Sequence, residues 1–151
     1  MKIQARIHIR WFILRDIAEV MAIESRSFAD SCDEQFFENQ LRRRNVICMV
    51  GEGIDGHVIS YVVYELHRRH VEILKLAVHR DYRREGIGTV IIDRLKSKLC
   101  EQRRNRLSTL VGERSLDAQL FFRACGFIAS GIDGVTFFDQ EAYRFDFRYG
   151  W

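Results

Sequence analysis

The apolar positions of this chain change period several times, and each change marks an element. "ARIHIRWFIL" alternates Ile7, Ile9 and Trp11 with polar neighbours, the period of two with which a strand buries one face. In "LRDIAEVMAIESRSF", Ile17, Val20 and Met21 share a helical face, with Asp16 near the start and the charged Glu24 one turn further along the same stripe. "DEQFFENQL" predicts a shorter helix opened by Asp33 as its N-cap. The β-branched runs "VICMVGE" and "HVISYVVYEL" flank "GEGIDG" and predict a hairpin, and "VEILKLAV" adds another strand. Ile87, Ile91, Leu95 and Leu99 recur every four residues, which predicts an amphipathic helix over residues 86 to 102. "RLSTLVG" reads as a strand and "SLDAQLFFRACGF" as a helix with Ser115 as N-cap, Asp117 in its first turn and Gly126 as its stop. "FIASGI" and "EAYRFDFRYGW" close the chain as strands. The order β-α-α-β-β-β-α-β-α-β-β, without internal repeats, predicts a mixed α/β fold of the α+β type, with residues 1–151 as one domain.

Composition narrows the functional classes. With 47% hydrophobic and 30% charged residues the chain reads as globular, and no apolar run approaches the ~20 residues needed to cross a bilayer, so no membrane partner is expected. The N-terminus alternates polar and apolar residues and lacks the continuous apolar core of a secretory signal, which points to the cytoplasm. Cys32, Cys48, Cys100 and Cys125 are far apart and show no zinc spacing; reduced thiols and no metal are expected. Net charge is +3, and the arginine clusters at 42–44 and 103–106 have no interleaved aromatic motif, so nucleic acid is not an expected partner. There is no proline, so boundaries rest on Gly, Asn and Asp.

The stretch "YRREGIGTVI", residues 82 to 91, carries the most chemistry. A strand ending at Val78, a short polar turn and two glycines at a helix start can bind pyrophosphate, because unpaired backbone N–H groups point outward there and the helix dipole adds positive potential. A plain glycine-rich turn is the competing reading. No GK[ST] follows, and the glycine spacing is not that of the dinucleotide motif.

"VHRDYRREGIG" resembles the acetyl-CoA loop of the GCN5-related N-acetyltransferases (GNAT), Q/R-x-x-G-x-G/A, here Arg83-Arg84-Glu85-Gly86-Ile87-Gly88. "IRWFILRDIAEVMAIESRSF" is similar to the family's first strand and helix, "LKLAV" to the strand before the loop and "DAQLFFRACGF" to its last helix. The branch it most resembles is that of the ribosomal-protein N-terminal alanine acetyltransferases. The resemblance implies a central, mostly antiparallel sheet of about seven strands, splayed at the acetyl-CoA site and flanked by about four helices. It implies direct acetyl transfer from acetyl-CoA to a primary amine, a protein N-terminus in that branch, with no metal. The pantetheine would lie along Leu76, Ala77 and Val78, and the pyrophosphate on Arg83, Arg84, Glu85, Gly86, Ile87, Gly88 and Thr89. Ser115 stands where the family usually has an asparagine touching the pantetheine.

The branch's base, a glutamate, corresponds to Leu110, and its acid, a tyrosine, to Phe122; neither side chain here carries a proton. Glu72 falls where the histone acetyltransferase branch keeps its general base. On a regular strand it shares a face with Leu74, Leu76 and Val78, surroundings that would raise its pKa; an exposed strand-start residue is the alternative. Glu24 faces either the acceptor groove or a partly buried salt bridge, and Glu113 suits a helix N-terminus. Tyr64, Tyr143, Cys125 and His79 read more simply as packing or turn residues. The functional alternatives are therefore an N-acetyltransferase with Glu72 as base, or a non-catalytic acyl-CoA-binding domain of the same fold. The final strand is expected either as a covered edge or as the seam of a homodimer.

Overall fold

The computed structural model describes residues 6–28, 31–137 and 140–151. Seven strands form one sheet in the order β1-β2-β3-β4-β5-β7-β6: β1 His8–Trp11, β2 Val46–Glu52, β3 Val58–Leu66, β4 His70–Val78, β5 Arg106–Gly112, β6 Ile128–Phe137 and β7 Gln140–Arg148. Neighbours are antiparallel except β4 and β5. Among the described residues four α-helices flank it: α1 Ile17–Ser27, α2 Glu34–Leu41, α3 Ile87–Lys96 and α4 Leu116–Ala124.

The helices divide the core in two. Val20 and Ile23 of α1 and Phe37 of α2 bury against Val46, Cys48, Val50, Tyr61, Val63 and Ala77, so this pair of helices covers β2 to β4 only. Ile87, Ile91, Ile92 and Leu95 of α3 and Phe122 of α4 pack on the opposite face, with Val62, Tyr64, Ile73, Leu107 and Phe145. On the first face, no described helix residue joins the buried cluster with β5, β7 or β6.

Local chemistry sets the boundaries. Before α1, Leu14–Asp16 form a 3-10 turn in which Asp16 accepts the Ile13 N–H at 2.9 Å. Asp16 is also clamped by Arg10 at 2.8 and 2.9 Å, which ties β1 to α1 and holds the buried carboxyl below its ordinary pKa. Asp33 caps α2 by accepting the Phe36 N–H at 2.8 Å. Gly126 ends α4 at φ +90°, where a Cβ would be strained.

Three expectations are corrected. The third helix stops at Lys96 rather than 102: Ser97 Oγ donates to the Arg94 carbonyl at 2.6 Å, and the amides of Lys98 and Leu99 bond three residues back, tightening the helix into a turn that still buries Leu99. The sixth strand runs to Phe137, because β7 supplies partners beyond Ile132. The last strand is no edge. It lies between β5 and β6, so the open edges belong to β1 and β6.

Candidate active site

The sheet opens where β4 meets β5. The two strands pair in parallel only through Ile73 and Thr109, and Thr109 Oγ1 closes the joint by donating to the Ile73 carbonyl at 3.0 Å. Immediately beyond, Val63 pairs with Lys75 and Tyr64 with Ile73, so Leu74 is the extra residue of a bulge. A bulge bends and twists its strand. Here it carries Leu74–Val78 away with β3, while Leu110–Gly112 follow β7. The result is a wedge between β4 and β5.

Backbone polarity aims into that wedge. His79 donates its N–H to Ile59 of β3, so along the alternating strand the N–H and C=O of Val78 and Leu76 point the other way, into the opening. The Val78 carbonyl accepts Arg83 Nε at 3.0 Å, and Arg83 Nη2 reaches Ser27 Oγ at the end of α1 at 3.3 Å. The side chains of Leu76 and Val78 join the α3/α4 core and Ala77 the α1/α2 core.

The loop after β4 delivers a bare helix end to the same place. Arg84 has φ +66° and Gly86 φ +82°, and Gly86 is the N-cap of α3 with no side-chain cap. The first-turn amides of Ile87, Gly88 and Thr89 precede any intrahelical acceptor, while Arg84, Glu85 and Gly86 are exposed. A Cβ on Gly86 would meet nothing within 4 Å, which leaves the approach open. On Gly88 it would sit 3.0 Å from the Phe121 ring, so that glycine also lets α3 approach α4. Free N–H groups, positive potential and a neighbouring wedge of strand length suit a pyrophosphate with an extended arm. Ser115 occupies the N-cap of α4, but its hydroxyl makes no cap bond; Gln119 Nε2 instead binds the carbonyls of Gly112 and Glu113, both at 3.0 Å.

Glu72 lies one residue before the last paired position, at the apex of the wedge. The bulge after it changes the face it shares. Leu76 and Val78 turn to the α3/α4 side, and Glu72 stays with Lys75 and Ala77 on the other. The expected apolar strand face is thus replaced by a polar floor: Arg144 Nη1 binds both Glu72 oxygens, at 3.1 and 3.3 Å, and Arg144 Nη2 stands 3.7 Å from Asp133. Next to it Ser108 donates to Asp146 at 2.5 Å. Burial pushes the Glu72 carboxyl above its ordinary pKa, and Arg144 opposes without cancelling the rise.

The other candidates go elsewhere. Glu24 is fully buried and accepts from Lys75 Nζ at 2.5 Å, from the Cys32 amide at 3.1 Å and from the Tyr61 hydroxyl. Tyr64 is in the core and Tyr143 packs against it. Cys125 is buried at the end of α4, and burial raises its thiol pKa. His79 Nδ1 accepts the Asp81 amide within the turn. Phe122 is 6% exposed, and Leu110 pairs in register with Arg144. Among the described residues no three His, Cys, Asp or Glu side chains group as metal ligands. No helix among them is long and apolar enough to cross a membrane.

Sequence reasoning missed Arg144, Thr109 and Lys75. Arg144 and Lys75 stand in alternating strands as ordinary polar positions, and nothing local marks their partners.

Comparison with known proteins agrees with the fold. The model of the acetyltransferase (GNAT) family matches residues 13–127. Ard1 from Thermoplasma volcanium superposes with a TM-score of 0.83 at 24% identity, over 95% of this chain and 97% of that one. The ribosomal-protein-S18-alanine N-acetyltransferase from Escherichia coli gives 0.81 at 17%, over 97% and 96%. Arabidopsis thaliana NAA60 in complex with acetyl-CoA gives 0.79 at 16%, over 95% and 99%. Curated protein sequences give no match.

Proposed function

Because the chain belongs to the GNAT acetyltransferase family, we propose that it is an acetyl-CoA-dependent N-acetyltransferase that acts by direct transfer to a primary amine, with a protein N-terminus among the candidate acceptors. The observation that carries this reading is the convergence of three features at one end of the sheet: the uncapped N-terminus of α3, the wedge lined by the Leu76 and Val78 backbone, and the Glu72 carboxylate at its apex. The proposed setting is the cytoplasm, consistent with four free thiols.

The residues present fit acetyl-CoA. The amides of Ile87, Gly88 and Thr89 would hold its pyrophosphate, with Arg84 beside them and Glu85 at the rim, and the backbone of Leu76 to Val78 would run along its pantetheine arm. When bound it supplies an acetyl thioester, whose C–S bond is exchanged for a C–N bond. The Val78 N–H, aimed into the wedge, is the donor for the carbonyl oxygen as it gains charge. Arg83, bonded to the Val78 carbonyl, fixes that donor in place. Glu72 takes one proton from the acceptor ammonium, directly or through water, to give the nucleophilic amine. The second proton lost by nitrogen ends on the departing thiolate. Ser115, at the mouth of α4, lies within the same end of the molecule and offers a shorter donor than an amide would.

A non-catalytic acyl-CoA-binding domain is the second reading, favoured by one observation: Leu110 and the buried Phe122 carry no exchangeable proton. Both readings share the cradle. Titration calorimetry with acetyl-CoA is expected to show binding that Gly86→Glu abolishes, since the open space above Gly86 would be filled by an anionic side chain. Absence of binding by the wild-type protein would overturn both readings. Acetyl-CoA-dependent modification of an amine panel, followed by mass spectrometry, separates enzyme from binder.

A further inference from the structure

Arg144 stands between Glu72 and any role as a base. It belongs to β7, and β5 separates it from β4, so its side chain must lie across two strand spacings, about 10 Å, to bind both Glu72 oxygens. The guanidinium makes Glu72 a weaker proton acceptor than burial alone would leave it, because the cation stabilises the charged form. The cation is the more accessible partner: the Arg144 side chain is 35% exposed and that of Glu72 14%, on the part of the sheet that α1 and α2 leave uncovered. Its second nitrogen, Nη2, stands 3.7 Å from Asp133, an ion-pair distance longer than a hydrogen bond. Leu110, its register partner on β5, brings no charge to compete.

We propose that Arg144 selects the acceptor: it binds a carboxylate carried by the amine substrate, exchanges its bonds to Glu72 for bonds to that carboxylate, and thereby leaves Glu72 to receive the amine proton. This rests on the acetyltransferase reading and narrows its substrate to amines that bring their own anion. Two sources share that chemistry, a free amino acid and a peptide N-terminus followed by an acidic residue.

The test uses two isosteric pairs with the full-length protein: L-alanine against L-alaninamide, and Ala-Asp-Ala-Ala-amide against Ala-Asn-Ala-Ala-amide. Wild-type kcat/KM is expected to favour the carboxylate member of at least one pair by about 30-fold, the scale of a lost charge-assisted contact; which pair responds identifies the source. Arg144→Gln should collapse that preference mainly through KM, and Arg144→Lys should restore part of it. The same variant should move the acid limb of the pH profile to higher pH, since Glu72 loses its counterion. Equal use of both members by wild type, or a preference that survives Arg144→Gln, would overturn the inference and leave the acetyltransferase reading standing. Acetylation of amines lacking a carboxylate with none of these four modified would do the same. Binding of acetyl-CoA without acetylation of any amine would overturn both.

Discussion

Glu24 and Glu72 approach the same face of one sheet, and each is paired with a cation, yet they are built for opposite ends. Glu24 has no exposed surface and accepts from an ammonium, a phenol and a backbone amide. Burial pushes its carboxyl up, but the bonds from Lys75, Tyr61 and Cys32 outweigh that and hold it below the ordinary range. Its cation is boxed in as well: Lys75 lies 4.4 Å from the centre of the Phe28 ring. Glu72 keeps partial access to solvent, has the partly exposed Arg144 as counterion, and remains above its ordinary pKa. The number of donors and the exposure of the counterion, more than burial itself, separate a structural carboxylate from one that can exchange a proton.

The largest effect should come from breaking the closed site. Glu24→Ala leaves Lys75 and the Tyr61 hydroxyl without their anion in the interior, and removal of one member of a buried pair typically costs about 3–5 kcal/mol. Urea unfolding should show that loss, and Glu24→Ala combined with Lys75→Met should recover part of it. A cost near that of a surface substitution would mean that Glu24 is no anchor and that the contrast with Glu72 is misdrawn.

The open site should respond in activity instead. Glu72→Gln is expected to lower kcat about 100-fold, the scale of a general base, while calorimetry shows acetyl-CoA affinity unchanged within a few-fold. Stability should move in the opposite direction from Glu24. A carboxyl with a raised folded pKa binds its proton more tightly in the native state, so its contribution is full below the unfolded pKa near 4.5 and is lost as pH rises through the folded value. A carboxyl with a lowered pKa contributes above its unfolded value and loses that contribution as pH falls. Between pH 4.5 and 7 the stability of Glu72→Gln relative to wild type should therefore rise. Unchanged turnover in this variant would remove Glu72 from the chemistry.

The difference between these two glutamates was only half legible in the sequence. The element order, the bounds of β2, the Asp33 cap and the Gly86 and Gly126 boundaries follow from period, β-branching and turn chemistry, all of which act within a few residues. Glu24 also announced itself, as a charge in an apolar stripe. What did not show was anything set by non-local pairing. No glycine or proline marks Leu74, so the bulge that moves Leu76 and Val78 to the other face from Glu72 leaves no trace in the alternation of "VEILKLAV". Arg144 reads as one more outward residue of "AYRFDFR", because neither the insertion of β7 between β5 and β6 nor the register Leu110 to Arg144 can be counted along the chain. The loop proposed for the cofactor is contiguous in sequence and could be singled out there; the polar floor around Glu72 and Arg144 is assembled from three strands and could not.

The smallest predicted effect is also the most selective readout of the contrast. Cys32 donates its amide to Glu24, and its thiol is pushed up to about 11, first by burial and then by the nearby carboxylate. Charge removal at Glu24 leaves the burial and deletes the second cause, so Glu24→Gln should lower the thiol pKa and raise the thiolate fraction at pH 8 a few-fold. Cys48 and Cys125 are buried and Cys100 is partly exposed, so a Cys100→Ser background isolates Cys32 in the rate of reaction with a small disulfide reagent. Glu72→Gln in that background should leave the rate where it was, since Glu72 is paired with Arg144 and is not among the groups acting on this thiol. A rate that answers to both substitutions would mean that the two carboxylates share one electrostatic environment, and the division of the face into a sealed anchor and an open base would fail.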